Sequence, residues 1–180
     1  NRLRVLATGP RVRIWVNDFP TVDYTETDPS VEPRGRIGLQ IHGGPPAECH
    51  YRNIRIRPLC TAKGWTPLWN GKDLSEFTAK NDRRAKKGLL WAVEDHAFTN
   101  TSAGGGGHDI WTKASFGNFL VMYQYRAEPK IHGGNSGFYL RDQWEIQIHG
   151  PRGGGKRESK HGDGALYSYF PPARLSNNGK

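Results

Sequence analysis

Glu145, Gln147 and His149 occupy every second position of the run Trp144-Glu145-Ile146-Gln147-Ile148-His149. Alternate side chains of an extended strand point to opposite faces. This spacing therefore collects a carboxylate, an amide and an imidazole on one face and Trp144, Ile146 and Ile148 on the other. The same reading sets Asn135, Tyr139 and Arg141 opposite Phe138 and Leu140, and sets Gln40 and His42 opposite Ile37, Leu39 and Ile41. Glu, Gln, Asn, Arg and His make directional hydrogen bonds to sugar hydroxyls. An Arg beside a carboxylate fixes it through charge-assisted bonds. Trp91, Tyr139 and Tyr167 are candidate platforms for a pyranose ring, and His161, after a glycine-rich stretch, could close over a ligand. The competing reading is a plain solvated sheet face, but such a face carries mainly Lys, Thr, Ser and Glu rather than this set.

His42 and His149 fall in matching slots of two short repeats, Gln40-Ile41-His42-Gly43 and Gln147-Ile148-His149-Gly150. Three roles stay open for them. With Glu145 they could bind a divalent metal, calcium or a transition metal, with Glu145 and His149 as ligands. They could act as general acid and base beside Glu145. Or they could end their strands as structural residues. The chain holds no Gly-x-Ser-x-Gly, P-loop, Rossmann or His-Glu-x-x-His pattern, which argues against the commonest hydrolase, nucleotide-binding and zinc-protease classes.

The elements that must position these residues are strands. Apolar alternation marks 2–8 and 11–16, split by Gly9-Pro10, then 21–24, 37–42 and 49–57. An aromatic turn over 65–74 leads to one helical turn at 73–77, followed by strands at 89–93, 96–100, 109–113, 117–127, 136–141 and 144–149, and a short one at 165–169. Apolar residues on both faces of 117–127 predict a strand buried on both sides. With 23 Gly, 12 Pro and no helical pattern of ten or more residues, the fold class is all-β, an antiparallel β-sandwich or jelly roll.

A chain of 180 residues suits one domain with a core, or pieces of two. Its 26 basic against 17 acidic residues give a net charge of +9, a balance that fits a polyanion or a cell surface. The densest basic runs, 80–87 and 152–160, read as solvated loops. Basic and aromatic residues are not expected to interleave on one face, so nucleic acid ranks last among partners. No apolar run approaches the ~18 residues of a membrane span. Cys49 and Cys60 flank one extended segment, about 36 Å apart along a strand, far beyond the roughly 7 Å a disulfide allows, so no intrachain bridge is expected.

Several motifs, taken in order, resemble one family. They are Pro67-Leu68-Trp69-Asn70-Gly71-Lys72-Asp73-Leu74, Trp91-Ala92-Val93-Glu94-Asp95, Gly134-Asn135-Ser136-Gly137-Phe138-Tyr139-Leu140-Arg141, Trp144-Glu145-Ile146-Gln147-Ile148 and Gly164-Ala165-Leu166-Tyr167. Their order is that of the 3-keto-disaccharide hydrolase domain family, long described as a domain of unknown function. The resemblance implies a concanavalin/laminin-G-like jelly roll in a secreted, periplasmic or cell-surface bacterial protein. It also implies action on a glycan or glycoside, cleaving a 3-keto sugar from its partner. Glu145 would then be a metal ligand or general acid/base, with His42 and His149 assisting. Asn135, Arg141, Gln40 and Gln147 would orient hydroxyls. The acidic residues usual after the Gln-Ile strand are replaced here by His149-Gly150-Pro151-Arg152. The alternative is a non-catalytic carbohydrate-binding or structural module that assembles by strand exchange.

Residues 1–59 resemble the closing strands of the same family, through Asn1-Arg2-Leu3-Arg4-Val5, Trp15-Val16-Asn17-Asp18, Gly38-Leu39-Gln40-Ile41-His42 and Tyr51-Arg52-Asn53-Ile54-Arg55-Ile56. Residues 65–180 resemble its opening strands, with 60–64 as a connector. Together they make about one domain with its segments in reversed order. That order implies a permuted domain or an origin in tandem domains, with closing strands completing the same chain or a neighbour through open sheet edges.

Overall fold

A computed structural model describes residues 1–40, 42, 47–60, 64–79, 91–102, 109–128, 134–150 and 159–173. Its elements are strands only: β1 (Arg2–Thr8), β2 (Arg11–Val16), β3 (Phe19–Thr25), β4 (Gly38–Leu39), β5 (Ala47–Pro58), β6 (Thr66–Pro67), β7 (Phe77–Ala79), β8 (Trp91–Glu94), β9 (Ala97–Ser102), β10 (Ile110–Thr112), β11 (Phe119–Ala127), β12 (Ser136–Leu140) and β13 (Trp144–Ile148). They form two antiparallel sheets, one ordered β3-β2-β1-β11-β5-β9-β8 with β6 beside β5, the other ordered β13-β12-β4-β10-β7. This is the all-β sandwich that the alternating strands predict.

The alternation explains the layering. On β1 and β2, Leu3, Val5, Ala7, Val12, Ile14 and Val16 are fully buried, while the residues between them stay on the outer face. Their partners across the sandwich are Phe138, Leu140, Trp144, Ile146 and Ile148, also buried. The sheets meet where Tyr123 stacks on Phe138 with ring centroids 4.2 Å apart. Such a pair adds about 0.5–1.5 kcal/mol beyond its area burial. Tyr51 reaches from β5 to β12, its hydroxyl 2.7 Å from Ser136 Oγ.

The two halves of the chain interleave in both sheets. β11 lies between β1 and β5, and β4 lies between β12 and β10. Two expectations need correction. β11 is buried on one face only, since Leu120 and Met122 are half-exposed on the outer side. The turn expected at 73–77 is a single hydrogen-bonded turn, Phe77 N donating to Leu74 O at 2.9 Å, rather than a helix, and Asn70 caps the turn before it by accepting from the backbone of Lys72 and Asp73. The 165–169 strand reduces to bridges of Leu166 to Ile146 and Phe170. Both cysteines are free, Cys49 buried and Cys60 exposed. The basic run 80–87, and 152–158 of the run 152–160, lie outside the described residues.

Candidate functional site

The outer face of the five-stranded sheet holds one row of residues in register across four strands: Trp111 opposite Gly38, Gly38 opposite Tyr139, and Tyr139 opposite Glu145. Gly38 carries no side chain, so Trp111 and Tyr139 stack across it at 5.0 Å and 23°. A Cβ at Gly38 would stand 2.9 Å from Trp111 Cε3. The next row along the strands holds Gln40, Gly137 and Gln147, with the Gln40 amide donating to Gly137 O at 2.9 Å. Gly137 leaves room for the Glu145 carboxyl to lie over it. Two glycines thus clear a floor on which Tyr139, Glu145 and Gln40 converge.

Gln40 is held from beneath. Its carbonyl accepts from Ser136 Oγ at 2.6 Å and from Asn100 Nδ2 at 3.1 Å, both buried groups of the sandwich interior. Its side-chain Nε2 donates to the Tyr139 hydroxyl at 2.8 Å. Its Oε1 is buried without a partner among the described residues, so it can accept a hydrogen from a ligand. Arg36 ties the start of β4 to the turn after β12: its guanidinium donates to Asp142 Oδ1 at 2.7 and 2.9 Å, and it sits 5.4 Å from the Trp111 ring centroid.

Burial dominates the electrostatics. It pushes the Glu145 carboxyl up to about 7; the charge of Asp109 acts in the same direction, and hydrogen bonds with Tyr139 and Gln40 oppose it. Burial and the carboxylates of Glu145 and Asp109 raise the Tyr139 phenol, which keeps its proton at neutral pH. The order of donors is therefore Gln40 to Tyr139 and Tyr139 to Glu145. A carboxyl poised near 7 inside a polar cluster has the protonation range of a general acid or base.

Further along β13 lies a second cluster. Burial lowers the imidazoles of His42 and His149, and His149 is lowered further by the neighbouring His42 and His161. Both are neutral at pH 7. His149 is anchored by its backbone N–H, 3.0 Å from Asp163 Oδ1, while its Nδ1 is buried with no partner among the described residues. The segment after residue 159 closes the β13 edge: Gln147 N donates to Ala165 O at 3.0 Å and Tyr167 N to Glu145 O at 2.8 Å. Leu166 turns into the core, so Tyr167 turns outward beside Glu145, 39% exposed, with its ring 4.8 Å from that of His161.

Of the residues expected from sequence, Glu145, Tyr139 and Gln40 meet directly, and His161 with Tyr167 forms the adjoining rim. His42 and His149 form the second cluster. Asn135 and Gln147 bond to each other, Gln147 Nε2 donating to Asn135 Oδ1 at 2.7 Å. Gln147 is 2% exposed, so it acts as a strut that holds Asn135 rather than as a direct contact for hydroxyls.

Two residues go elsewhere. Trp91 is buried in the core of the other sheet, 6.1 Å from Tyr51, and offers no platform. Arg141 leaves the strand at a turn with φ of 55°, which swings its side chain off the Tyr139 face. It is buried against Phe119 and Trp144 and donates to Gly9 O at 2.7 Å and to Gly117 O at 2.9 and 3.2 Å. Trp111 and Asp109 were not foreseen. Their parity within 109–113 opposes that of Ile110, but Trp111 is itself buried, and only its pairing with Gly38 sets it apart.

Glu145 lies near the start of β13 and His149 just past its end. Four residues along one strand separate them by about 13 Å. Among the described residues no group of three or more His, Cys, Asp or Glu gathers as metal ligands.

No curated protein matches the chain significantly. The description of one family, the 3-keto-alpha-glucoside-1,2-lyase-like domain, matches residues 1–57 and 64–179. The match spans both halves of the sandwich, including the Gln40 and Glu145 strands. The chain belongs to the 3-keto-alpha-glucoside-1,2-lyase-like (3-keto-disaccharide hydrolase) domain family.

Proposed function

We propose that this chain cleaves 3-keto-glycosides by elimination, with Glu145 as the base. The observation that carries the reading is the Glu145 carboxyl, raised to about 7 and wired through Tyr139 to Gln40 on the glycine-cleared floor. A 3-keto group acidifies the C2–H bond of the sugar. Ionised Glu145 takes that proton, and the electron pair moves onto the ketone oxygen as an enolate. The enolate reforms the ketone as C1=C2 forms and the C1–O bond to the leaving group breaks. The leaving oxygen takes a proton from His161 on the rim. Water added across C1=C2 then completes a net hydrolysis. Gln40 Oε1 accepts a sugar hydroxyl, Tyr167 carries the ring, and the neutral His42 and His149 bind the leaving portion along β13.

The test uses a 3-keto-α-glucoside with a nitrophenyl leaving group. Glu145→Gln is expected to lower kcat by about 10²–10⁴, the usual worth of a positioned base, with binding retained. Unchanged turnover sinks the assignment. A second reading, a non-catalytic carbohydrate-binding module, draws on the two neutral imidazoles, each of which can both donate to and accept from sugar hydroxyls. It predicts binding of the same glycoside with no nitrophenolate released. The family membership favours a secreted, periplasmic or cell-surface location. No helix among the described residues is long and apolar enough to cross a membrane. Completion of one chain's sheets by a neighbour's strands remains part of this proposal, and native mass measurement tests it.

A further inference from the structure

The outer face of the eight-stranded sheet is an arginine array, on the side of the sandwich away from Glu145. The register lines its residues up across strands: Trp15, Arg4, Met122 and Arg55 form one row, and Arg13, Leu6, Leu120 and Arg57 the next. Arg2, Gln124 and Arg52 form a third. Basic and aromatic residues therefore do interleave on one face, contrary to the expectation from sequence. Arg4 lies 4.3 Å and Arg13 5.8 Å from the Trp15 ring centroid, and Arg55 and Arg57 lie 5.8 and 5.6 Å from that of Trp65.

Arg2 and Arg11 are paired with Asp18 and Asp23. Arg13 lies opposite Asp23 and shares that carboxylate's charge with Arg11, whereas Arg4, Arg52, Arg55, Arg57 and Arg126 form no ion pair with a carboxylate among the described residues. Guanidinium groups gathered on one face raise a positive potential that attracts anions. Strand geometry spaces Arg55 and Arg57 by roughly 7 Å, and sets Arg4 and Arg55, two strands apart, at roughly 10 Å. The array ends at a cavity of about 550 Å³ lined by Arg2, Arg52, Gln124 and Arg126 together with Glu94 and Asp95.

We propose that this face docks a linear acidic polysaccharide, with the arginine rows holding its carboxylates and the cavity taking a sugar unit. Guanidinium forks match planar carboxylates in bidentate fashion. The cavity pairs cationic groups with carboxylates that accept hydroxyl hydrogens, a lining that suits a sugar acid better than a phosphodiester chain. Arginines flank both tryptophans, so the rings alternate with cations rather than forming a continuous platform on which successive bases stack. Among the described residues this face is a sheet with no projecting helix to enter a groove or a membrane interface. The inference is independent of the reaction assigned to Glu145.

The experiment measures binding of the full chain to polygalacturonate, neutral dextran, double-stranded DNA and phosphatidylserine-containing vesicles over a range of salt. Polygalacturonate is expected to bind tightest, with log affinity falling linearly against log salt. Arg55→Gln/Arg57→Gln should weaken it at least tenfold, with melting temperature and glycoside turnover unchanged. Arg55→Lys/Arg57→Lys should still lose about threefold, because lysine lacks the fork. Arg52→Gln/Arg126→Gln, at the cavity end, carries the same expectation should the first pair fail to fold. Tighter binding to DNA or vesicles, no binding to polygalacturonate, or indifference to both glutamine pairs would overturn the proposal.

Discussion

Glu145 folds its carboxyl over Gly137: a Cβ at Gly137 would stand 2.8 Å from Glu145 Cδ. The absent side chain is what lets the carboxylate lie down on the sheet, half-buried, within reach of Tyr139 and Gln40. Gly137→Ala is expected to fold, because the group it meets is the end of a movable side chain. It should push the carboxyl outward into water and away from Tyr139. Turnover should fall at least tenfold, and the acidic limb of the pH–rate profile should move down from about 7 towards the ordinary carboxylate range. An unmoved limb would show that the close approach has no part in setting the Glu145 proton affinity.

Burial of Glu145 also makes stability depend on pH. Its folded value, about 7, lies above the ordinary 4.5, so between those values the native state binds more protons than the unfolded chain. Stability from this group is present below pH 4.5 and is lost as pH rises through 7. The shift corresponds to at most about 3 kcal/mol, less for the part of the group that solvent screens. Glu145→Gln, which mimics the protonated form, should melt higher than the wild type at pH 8 and about level with it at pH 4.5. Equal melting differences at both pH values would remove the linkage.

Arg141 gives the opposite kind of prediction. Its guanidinium satisfies the carbonyls of Gly9 and Gly117 inside the sandwich. Arg141→Met should cost about 2–4 kcal/mol in urea unfolding, since it strands buried acceptors, and KM of the folded fraction should not change. A raised KM with unchanged stability would return Arg141 to the substrate.

Legibility followed the period-two pattern. Where alternation ran unbroken, as in 2–8 and 11–16, faces and burial came out as the residues predict, and in 144–148 the faces did, although Gln147 is buried. Glu145 and Tyr139 could be singled out because each sits between buried apolar neighbours, and Gln40 because it follows the buried Leu39. The pattern failed where the backbone left the strand. Arg141 has the right parity for the Tyr139 face but lies one step past the end of β12, in a turn with positive φ. Trp91 was judged by residue type alone, and type does not tell a ring in the core from a ring in a site. Trp111 became readable only once Gly38 was known to lie opposite it, a pairing between residues 73 positions apart. The arginine face was visible in the alternation of β1 and β2, yet its coherence needed β11 and β5 beside them, which only the sheet order supplies.

β4 is two residues long, Gly38–Leu39, and it is wedged between β10 and β12. Every contact it makes in its sheet joins the first third of the chain to the last two thirds. Such contacts have high contact order and form late, after shorter loops have closed. Gln40, which follows β4, reaches Tyr139 only once that wedge is seated. During refolding, catalytic competence should therefore appear with the slowest phase, after most strand signal has returned. A chain that has built both sheets but not inserted β4 would be folded to a spectrometer and silent to a substrate.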